Sequence, residues 1–360
     1  MKKFVSMLSV AVLSASLLCA CGGGTESTTT AAPPAGDTTG AAVSQEETGT
    51  PATTSAPTDG DVIVMKLANA NPAGDIRDQV CRRFADLAAE KTGGKVKIEV
   101  YSGGSLGDWR DAVEGLSMGI NEIVIEGIAT LSAYTDLAYL DGLPYVFRDA
   151  DHFQKVMLGE MGQEICDQVG EQGGFKLLGP QYRGTKVTTS QKPFSNLEEL
   201  KGLKIRVPNN QVNIDTWTYL GASPTPLALT ETFTALQQHT VEAQENSIIE
   251  SYGHGFYDVC DYLIYTDHQH SADVFIFDRN YFNDLDPEIQ QALTEAANEA
   301  AQWRTETVLK EEKEYLTKWE EAGVEIIYPE LDGLREAVAN LAADKYPMLK
   351  DMVDQIQAVQ

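Results

Sequence analysis

Cysteine and histidine are scarce in this chain of 360 residues, which contains five of each. No two cysteines have the C-x-x-C spacing, so the sequence gives little support for thiol redox chemistry or a zinc site. Basic residues are also few, 27 against 54 acidic ones, and the formal net charge is −27. Sequence-independent binding to nucleic acid or anionic lipid requires an excess of Lys and Arg at the contact surface, so this composition excludes both.

The motifs that carry common enzymatic chemistry are missing as well. The sequence has no Walker loop, H-E-x-x-H helix or complete dinucleotide fingerprint. His268 and His270 would share one face of a strand, but no third metal ligand is evident nearby, and packed or solvated histidines are the alternative. We therefore predict that the protein is not an enzyme and holds neither a metal nor a cofactor.

Apolar runs long enough to span a membrane are absent. Two lysines precede an apolar run from Phe4 to Leu18, which is too short to cross a bilayer comfortably and is typical of an export signal. The segment LCACG (18–22) then resembles a bacterial lipobox. We predict a signal peptide over residues 1–20 and lipidation of Cys21; an ordinary soluble signal is the alternative.

The next segment is poor in large apolar residues. Residues 22–60 are mainly Gly, Ser, Thr, Ala and Pro with a few acids, and Val43 is the only large aliphatic residue among them. Such a segment cannot bury enough surface to offset the entropy of ordering. We therefore predict that residues 21–60 are a lipidated cysteine and a flexible linker, which place an extracytoplasmic body at the outer face of the cell membrane.

From residue 61 onwards, strand and helix patterns alternate. Asp75 precedes a helical pattern that ends at Gly93-Gly94, and short apolar or alternating runs predict strands. These strand runs are Val62–Leu67, Val96–Val100, Ile123–Ile125, Phe175–Leu178, Leu203–Val207 and Val274–Phe277. Repeated β-then-α units favour an α/β fold with parallel strands, whose ligands bind at the carboxyl ends of the strands.

One predicted helix is unusually long. Asp286-Pro287 is an N-cap followed by a first-turn proline, and neither Pro nor Gly occurs again before Gly323. The segment of ~36 residues would be roughly 54 Å long and would bridge both halves of a two-domain body. Two shorter helices with an unmarked break are the alternative.

Three segments between Lys201 and Ser247 are distinctive: KGLKIRVP (201–208), LGASPTPL (220–227) and TALQQHTVEAQENS (234–247). In order and spacing they resemble the DctP-type binding proteins of tripartite ATP-independent periplasmic (TRAP) transporters. SGGSLGDWR (102–110) and LPYVFRD (143–149) extend the resemblance over essentially the whole body.

The resemblance implies a two-lobe fold like that of the type II periplasmic-binding proteins, with crossing strands and a long bridging helix. One lobe would comprise residues 61–183 and 272–311, and the other residues 184–271 and 312–360. Proteins of this family capture small organic anions, such as carboxylates or sugar acids, between the lobes and pass them to the membrane subunits of a sodium-coupled permease.

The resemblance also implies that Arg206 binds the substrate carboxylate and that Asn246 hydrogen-bonds the same end of the ligand. The planar guanidinium of an arginine matches two carboxylate oxygens, which a lysine cannot do. Strand alternation places Arg206 on the opposite face from Ile205 and Val207, at the carboxyl end of a strand whose pairing Pro208 terminates. From the spacing alone, a surface arginine in a weak ion pair is the alternative.

The family commonly has a second arginine about twenty positions before the first, but this chain has Lys186 there. Arg183 could replace it, although an odd separation on a strand would place Arg183 and Lys186 on opposite faces. We predict that Lys186 faces the ligand, and we keep Arg183 as a second candidate.

Four weaker candidates follow predicted strands. Asn69 and Asn71 end the first strand, and Glu126 ends the third and is either a ligand-facing group or a helix cap. Asn209 follows the strand of Arg206 and either lines the cleft or faces solvent. The predicted function is a solute-binding lipoprotein of a TRAP transporter. An extracellular enzyme acting on carboxylic acids and a ligand-sensing lipoprotein with the same fold are the alternatives.

Overall fold

The computed structural model describes residues 62–360. The predicted signal peptide, the lipidation site Cys21 and the linker lie outside these residues. Within the described range, no helix is both long enough and apolar enough to cross a membrane.

The strands alternate with helices along most of the chain, as their sequence patterns predict. The strands are β1 Ile63–Ala68, β2 Val96–Tyr101, β3 Ile123–Gly127, β4 Phe175–Ser190, β5 Lys204–Val207, β6 Ser223–Pro226, β7 Ala243–Ser247, β8 Tyr262–Ile264, β9 His270–Asp278 and β10 Glu325–Ile327.

Helices connect most of these strands along the chain. They are α1 Ile76–Lys91, α2 Trp109–Met118, α3 Ala150–Met157, α4 Glu160–Gly173, α5 Leu197–Leu200, α6 Gln211–Tyr219, α7 Leu229–Gln237, α8 Ile248–Gly253, α9 Arg279–Asp284, α10 Pro287–Glu321, α11 Leu331–Val338, α12 Leu341–Lys345 and α13 Lys350–Ala358. Short 3-10 helices are formed by Ile128–Ala133, Asp136–Gly142, Phe256–Asp258 and Pro347–Leu349.

The strands form a mixed sheet in the order β2-β1-β3-β9-β4-β7-β5-β6, and β8 joins β10 to β4. The pairs β1–β2, β1–β3, β5–β6, β5–β7 and β8–β10 are parallel, as predicted from the β-then-α units. The expectation of parallel strands is wrong for β4 and β9, which pair antiparallel with their neighbours. These two strands lie at the centre of the sheet, where its two halves meet, and are not part of a β-then-α unit.

Strand β4 is shared by both halves of the sheet. Its first part, from Phe175 to Thr185, pairs with β9, and its last part, from Lys186 to Ser190, pairs with β7 and β8. The apolar pattern predicts only the first four residues, because the later part of the strand buries polar side chains such as Thr188 and Thr189. The single strand thus carries the chain from one half of the fold into the other.

Helix α10 is continuous over 35 residues, so the prediction of one long helix is confirmed and the two-helix alternative is wrong. The side chain of Asp286 caps it by accepting the N–H of Glu288 at 2.8 Å. Its alanine-rich face packs closely on β4, where a side chain at Gly179 would come within 2.6 Å of the Ala297 carbonyl oxygen. The helix also contacts α1, α8 and β10. The residue boundaries of the two lobes stay a prediction.

Candidate functional site

A cavity of about 50 Å³ lies where β3, β4, β5 and β7 end or cross. Its wall includes five of the residues predicted from the sequence: Glu126, Arg183, Lys186, Arg206 and Asn246. A single water requires ~10–15 Å³, so the cavity has room for a few small groups. Strand ends of an α/β sheet therefore form the site, as the fold class predicts.

Arg206 is a buried cation on β5, with 2% of its surface exposed. Its Nε and Nη2 atoms donate to the carbonyl oxygen of Leu227 at 3.0 and 2.8 Å. Within residues 62–360, no carboxylate lies within 4.0 Å of its guanidinium nitrogens. Burial lowers its pKa to about 10, although the charge of Glu245 acts in the opposite direction. A buried charge without an opposite partner is costly, so this guanidinium is suited to receive an anion.

Arg183, at the cavity wall on β4, is held by a carboxylate and an amide. Its Nη2 atom donates to Glu250 Oε2 at 2.8 Å and to Asn246 Oδ1 at 2.9 Å. Asn246 Oδ1 also accepts the backbone N–H of Ser247 at 2.9 Å. Since Glu250 already neutralises Arg183, this arginine differs from Arg206, which has no carboxylate partner among the described residues.

Lys186 is also neutralised, by Glu245. Its Nζ atom lies 2.9 Å from Glu245 Oε2, and both side chains are almost fully buried. The same carboxylate accepts a hydrogen bond from Asn213 at 3.0 Å and lies 3.4 Å from His268 Nε2. Burial raises the pKa of Glu245, but the charge of Lys186 and the His268 contact outweigh it and lower the value to about 2. Burial also lowers the pKa of Lys186, against the attraction of Glu245.

Arg183 and Lys186 line the same cavity, so the alternation argument that separates them is wrong. Gly184, between them, has a φ of +110°, and the pairing of β4 with β9 shifts between Tyr182 and Thr185. Such an irregularity breaks the two-residue period of a strand and re-aims the side chains around it. Gly184 is visible in the sequence and marks the position of this irregularity. The alternation argument fails because it assumes a strand without one.

Glu126, at the end of β3, faces the cavity and binds Arg77. Its Oε1 atom accepts a hydrogen bond from Arg77 Nη1 at 3.0 Å. Burial raises the pKa of Glu126, and the charges of Arg77 and Arg183 oppose the rise. The helix-cap alternative is wrong, because Gly127 is the N-cap of the 3-10 helix that follows.

Asn69, Asn71 and Asn209 do not line the cavity. Asn69 Oδ1 accepts the N–H of Asn71 at 3.0 Å, and Asn71 Nδ2 donates to Asp75 Oδ2 at 2.6 Å, so these buried side chains hold the turn between β1 and α1. The side chain of Asn209 is exposed to solvent. The cavity is lined instead by the adjacent residue, Asn210. Its side chain caps α6 by accepting the N–H of Asn213 at 3.1 Å.

The histidines that could have formed a metal site have other partners. His268 Nδ1 lies 2.9 Å from Thr266 Oγ1, and His270 Nδ1 lies 2.8 Å from the hydroxyl of Tyr182. In the part of the chain that the structure describes, no group of three His, Cys, Asp or Glu side chains is arranged to hold a metal.

The model of the DctP family, described as bacterial extracellular solute-binding protein, family 7, matches residues 67–347. The chain belongs to this family. It is therefore an extracytoplasmic solute-binding protein, as the sequence motifs predict.

Individual relatives agree with the family assignment. The sialic acid-binding periplasmic protein SiaP of Vibrio cholerae is 29% identical, over 77% of this chain and 86% of its own length. The 2,3-diketo-L-gulonate-binding periplasmic protein YiaO of Escherichia coli is 29% identical, over 79% and 89%. A TRAP periplasmic solute binding protein from Roseobacter denitrificans, solved with bound L-galactonate, has a TM-score of 0.78 and 26% identity, over 83% of this chain and 99% of its own. The two-lobe periplasmic-binding fold predicted from the sequence is confirmed.

The family motifs did not reveal several charged groups of this DctP-family site. Asp141 lines the cavity and accepts the N–H of Ala272 at 2.9 Å. Behind the wall, Asp273 pairs with Arg77 at 2.9 Å and with Arg304 at 2.6 Å. These residues lie in different parts of the chain, and no local spacing links them. Glu245 was the most accessible to sequence reasoning, because it directly precedes Asn246 in the Q-E-N motif.

Proposed function

We propose that this protein captures a small organic acid by its carboxylate and delivers it to the membrane subunits of a TRAP transporter. The observation that carries the proposal is Arg206, a cavity-facing guanidinium without a carboxylate partner among residues 62–360. The relatives bind sialic acid and 2,3-diketo-L-gulonate, and the Roseobacter protein holds L-galactonate. Sugar acids are therefore the first class of ligand to test.

Arg206 is well prepared for this role. Leu227 fixes one edge of the guanidinium through Nε and Nη2, which leaves Nη1 and the second hydrogen of Nη2 for an incoming carboxylate. Paired, charge-assisted hydrogen bonds of this kind are stronger than neutral ones and fix the orientation of the ligand. Asn246 is held by Arg183 at the same wall, and we expect its side-chain amide to add a hydrogen bond to the bound acid.

Calorimetric titration with a panel of sugar acids, keto acids and dicarboxylates tests the proposal. Arg206→Ala should weaken binding by about 2–5 kcal/mol, because the carboxylate of the ligand would be buried without a partner. Arg206→Lys should recover only part of the affinity, since an ammonium cannot form the paired contact. Arg83→Ala, which removes an exposed arginine from α1, is the control. Unchanged affinity in both Arg206 variants would remove this residue from the site.

The ligand should leave the protein chemically unaltered. A carrier returns the molecule that it binds, whereas an enzyme acting on carboxylic acids converts it. Prolonged incubation of a bound acid with the protein, followed by mass spectrometry of the released ligand, distinguishes the two functions. A time-dependent product that disappears in Arg206→Ala would favour the enzyme.

We also propose that Cys21 carries a lipid that anchors the protein to the outer face of the cell membrane. The LCACG segment and the long polar stretch after it support this proposal. Acyl chains contribute ~0.8 kcal/mol per buried CH₂, and stable anchoring requires more than one chain. Cys21→Ser should release the protein from the membrane fraction, while Cys81→Ser, at a buried position in α1, should leave it there.

A further inference from the structure

The positively charged side chains of the cavity wall are not all paired with carboxylates. Four cationic side chains line it, namely Arg77, Arg183, Lys186 and Arg206. In the described part of the chain, the first three have a carboxylate within 3.0 Å and the fourth has none within 4.0 Å. The wall therefore offers one uncompensated positive charge to a ligand.

The acidic groups of the wall are unfavourable for a second anionic group. Asp141 lines the cavity and, among residues 62–360, has no cation within ion-pair distance. When it is ionised, its carboxylate can only accept hydrogen bonds, and when it is protonated, it can also donate one. A ligand hydroxyl satisfies either form, whereas the ionised form repels a second ligand carboxylate, with no cation within ion-pair distance to offset the repulsion.

The pair between Lys186 and Glu245 determines this balance. Glu245 lies on β7 directly opposite Thr188 of β4, and hydrogen bonds from Asn213 and His268 hold it in place. Its carboxylate is fully ionised at neutral pH because its pKa is about 2. Lys186 is thus neutralised by a group that cannot easily move away.

We propose that the Lys186–Glu245 pair makes this cavity selective for hydroxylated acids with one carboxylate, and against the dicarboxylates of the same carbon chain. The inference rests on the proposed function, in which Arg206 receives the carboxylate. It assigns Glu245 as a specificity-determining residue that acts by cancelling the charge of Lys186. A lysine at this position without the glutamate would supply a second anion site.

Matched pairs of acids that differ only at one end test the selectivity. Gluconate and glucarate, galactonate and galactarate, and erythronate and meso-tartrate each differ by one terminal carboxylate in place of a hydroxymethyl group. At pH 7.5, the unmodified protein should bind at least one aldonate about 100-fold more tightly than its dicarboxylate, because juxtaposed like charges are strongly unfavourable. Equal binding within the pairs, or no binding of any aldonate, would overturn the inference.

Variants of the pair then test its cause. Glu245→Gln keeps an acceptor for Asn213 but frees the charge of Lys186, so the preference for the aldonate should fall about tenfold or more and dicarboxylate binding should increase. Lys186→Met combined with Glu245→Gln removes both charges and should restore the original preference. Glu242→Gln makes the same charge change at a pair with Lys192 outside the cavity and is the control.

Thermal unfolding of each variant shows which of them are folded. A folded Glu245→Gln protein with the original preference would contradict the inference, and so would a double variant that binds dicarboxylates as well as the single one does. If Glu245→Gln does not fold, the inference is tested by the unmodified protein and the double variant, both of which should prefer the aldonate to its dicarboxylate. Arg206-dependent binding without selectivity would refute this inference and leave the proposed function intact, whereas no binding of any acid would refute both.

Discussion

The carboxylate of Glu312, on α10, accepts the backbone N–H of Thr185 at 2.6 Å and lies 3.3 Å from the hydroxyl of the same residue. Thr185 follows Gly184, where β4 leaves its regular course and passes from one half of the sheet to the other. The long helix therefore holds the irregularity that brings Arg183 and Lys186 to the same cavity. The geometry of the ligand site therefore depends on the contact between Glu312 and Thr185, and Glu312 does not line the cavity.

We expect Gly184→Ala to reduce both stability and ligand affinity. The φ of +110° is strained for any residue with a Cβ, and the new Cβ would lie 3.0 Å from Glu312 Oε1. Strain of this kind costs about 1–3 kcal/mol in the free energy of unfolding, and relief of it would turn Arg183 or Lys186 away from the cavity. Chemical unfolding and calorimetric titration measure the two effects.

Gly202→Ala is the matched control, because Gly202 also has a positive φ, +75°, but has no neighbour within 4 Å of the added Cβ. It should lose stability and keep its affinity. Equal affinity losses in the two variants would show that the effect of Gly184→Ala is not local to the site.

Glu312→Leu should weaken ligand binding although residue 312 does not line the cavity. The substitution leaves the N–H of Thr185 without its acceptor, which costs about 1–3 kcal/mol when the group stays buried. Glu312→Gln retains an acceptor oxygen and should have a smaller effect. Titration of both variants, with the exposed Glu314→Leu on the same helix as the control, measures the difference. Full affinity in a folded Glu312→Leu protein would show that β4 keeps its shape at Gly184 and Thr185 without this contact.

The extent of α10 was predictable because its signals are local. An N-cap and a proline mark its start, a glycine follows its end, and no breaker interrupts the 35 residues between them. The strand of Arg206 was similarly predictable, because it is short, regular and ended by Pro208, whereas the role of Arg206 came from the family resemblance. Where the chain follows a simple period, sequence reasoning gave both the element and the direction of its side chains.

The charge partners of the site were not predictable in this way. Arg77 and Asp273 are 196 positions apart, and Lys186 meets Glu245 only because β4 pairs with β7. Such pairs depend on strand order, which no local pattern encodes. The same applies to Asn69 and Asn71, whose position at a strand end predicts a ligand contact but whose side chains are used to close the turn before α1.

Arg110→Ala should accelerate release of the ligand. Arg110 Nη2 donates to the carbonyl oxygen of Asn209 at 3.0 Å, and its guanidinium lies 5.2 Å from the ring of Trp109, which lines the cavity. The contact joins α2 to the loop after β5 and must break before these segments separate. An exposed hydrogen bond of a charged donor contributes about 1–2 kcal/mol, so the dissociation rate should increase by roughly five- to thirtyfold.

Stopped-flow measurement of association and dissociation with a bound acid checks this expectation. The association rate should change less, since single contacts usually affect the dissociation rate more than the association rate. Arg83→Ala, in the neighbouring helix α1, is the control. A dissociation rate equal to that of the unmodified protein would show that the Arg110–Asn209 contact does not limit release of the ligand.

Asp141 should make the stability of the ligand-free protein depend on pH. Burial raises the pKa of Asp141 to about 7 from its ordinary value of 3.8. Between these two values the unfolded chain has lost this proton while the folded protein keeps it. The contribution of the group is therefore fully present below about pH 4, decreases as the pH rises towards 7, and is lost above that. The total change in the free energy of unfolding is at most about 4 kcal/mol.

Asp141→Asn removes the titrating group and keeps an oxygen for the N–H of Ala272. The free energy of unfolding of this variant, relative to that of the unmodified protein, should rise between pH 5 and pH 7 and become constant by pH 8. Urea unfolding at four pH values in that range measures the difference, and Asp151→Asn, at an exposed position in α3, is the control. A constant difference across the range would mean that Asp141 is ionised in the folded protein throughout. The cavity would then carry a further fixed negative charge at neutral pH.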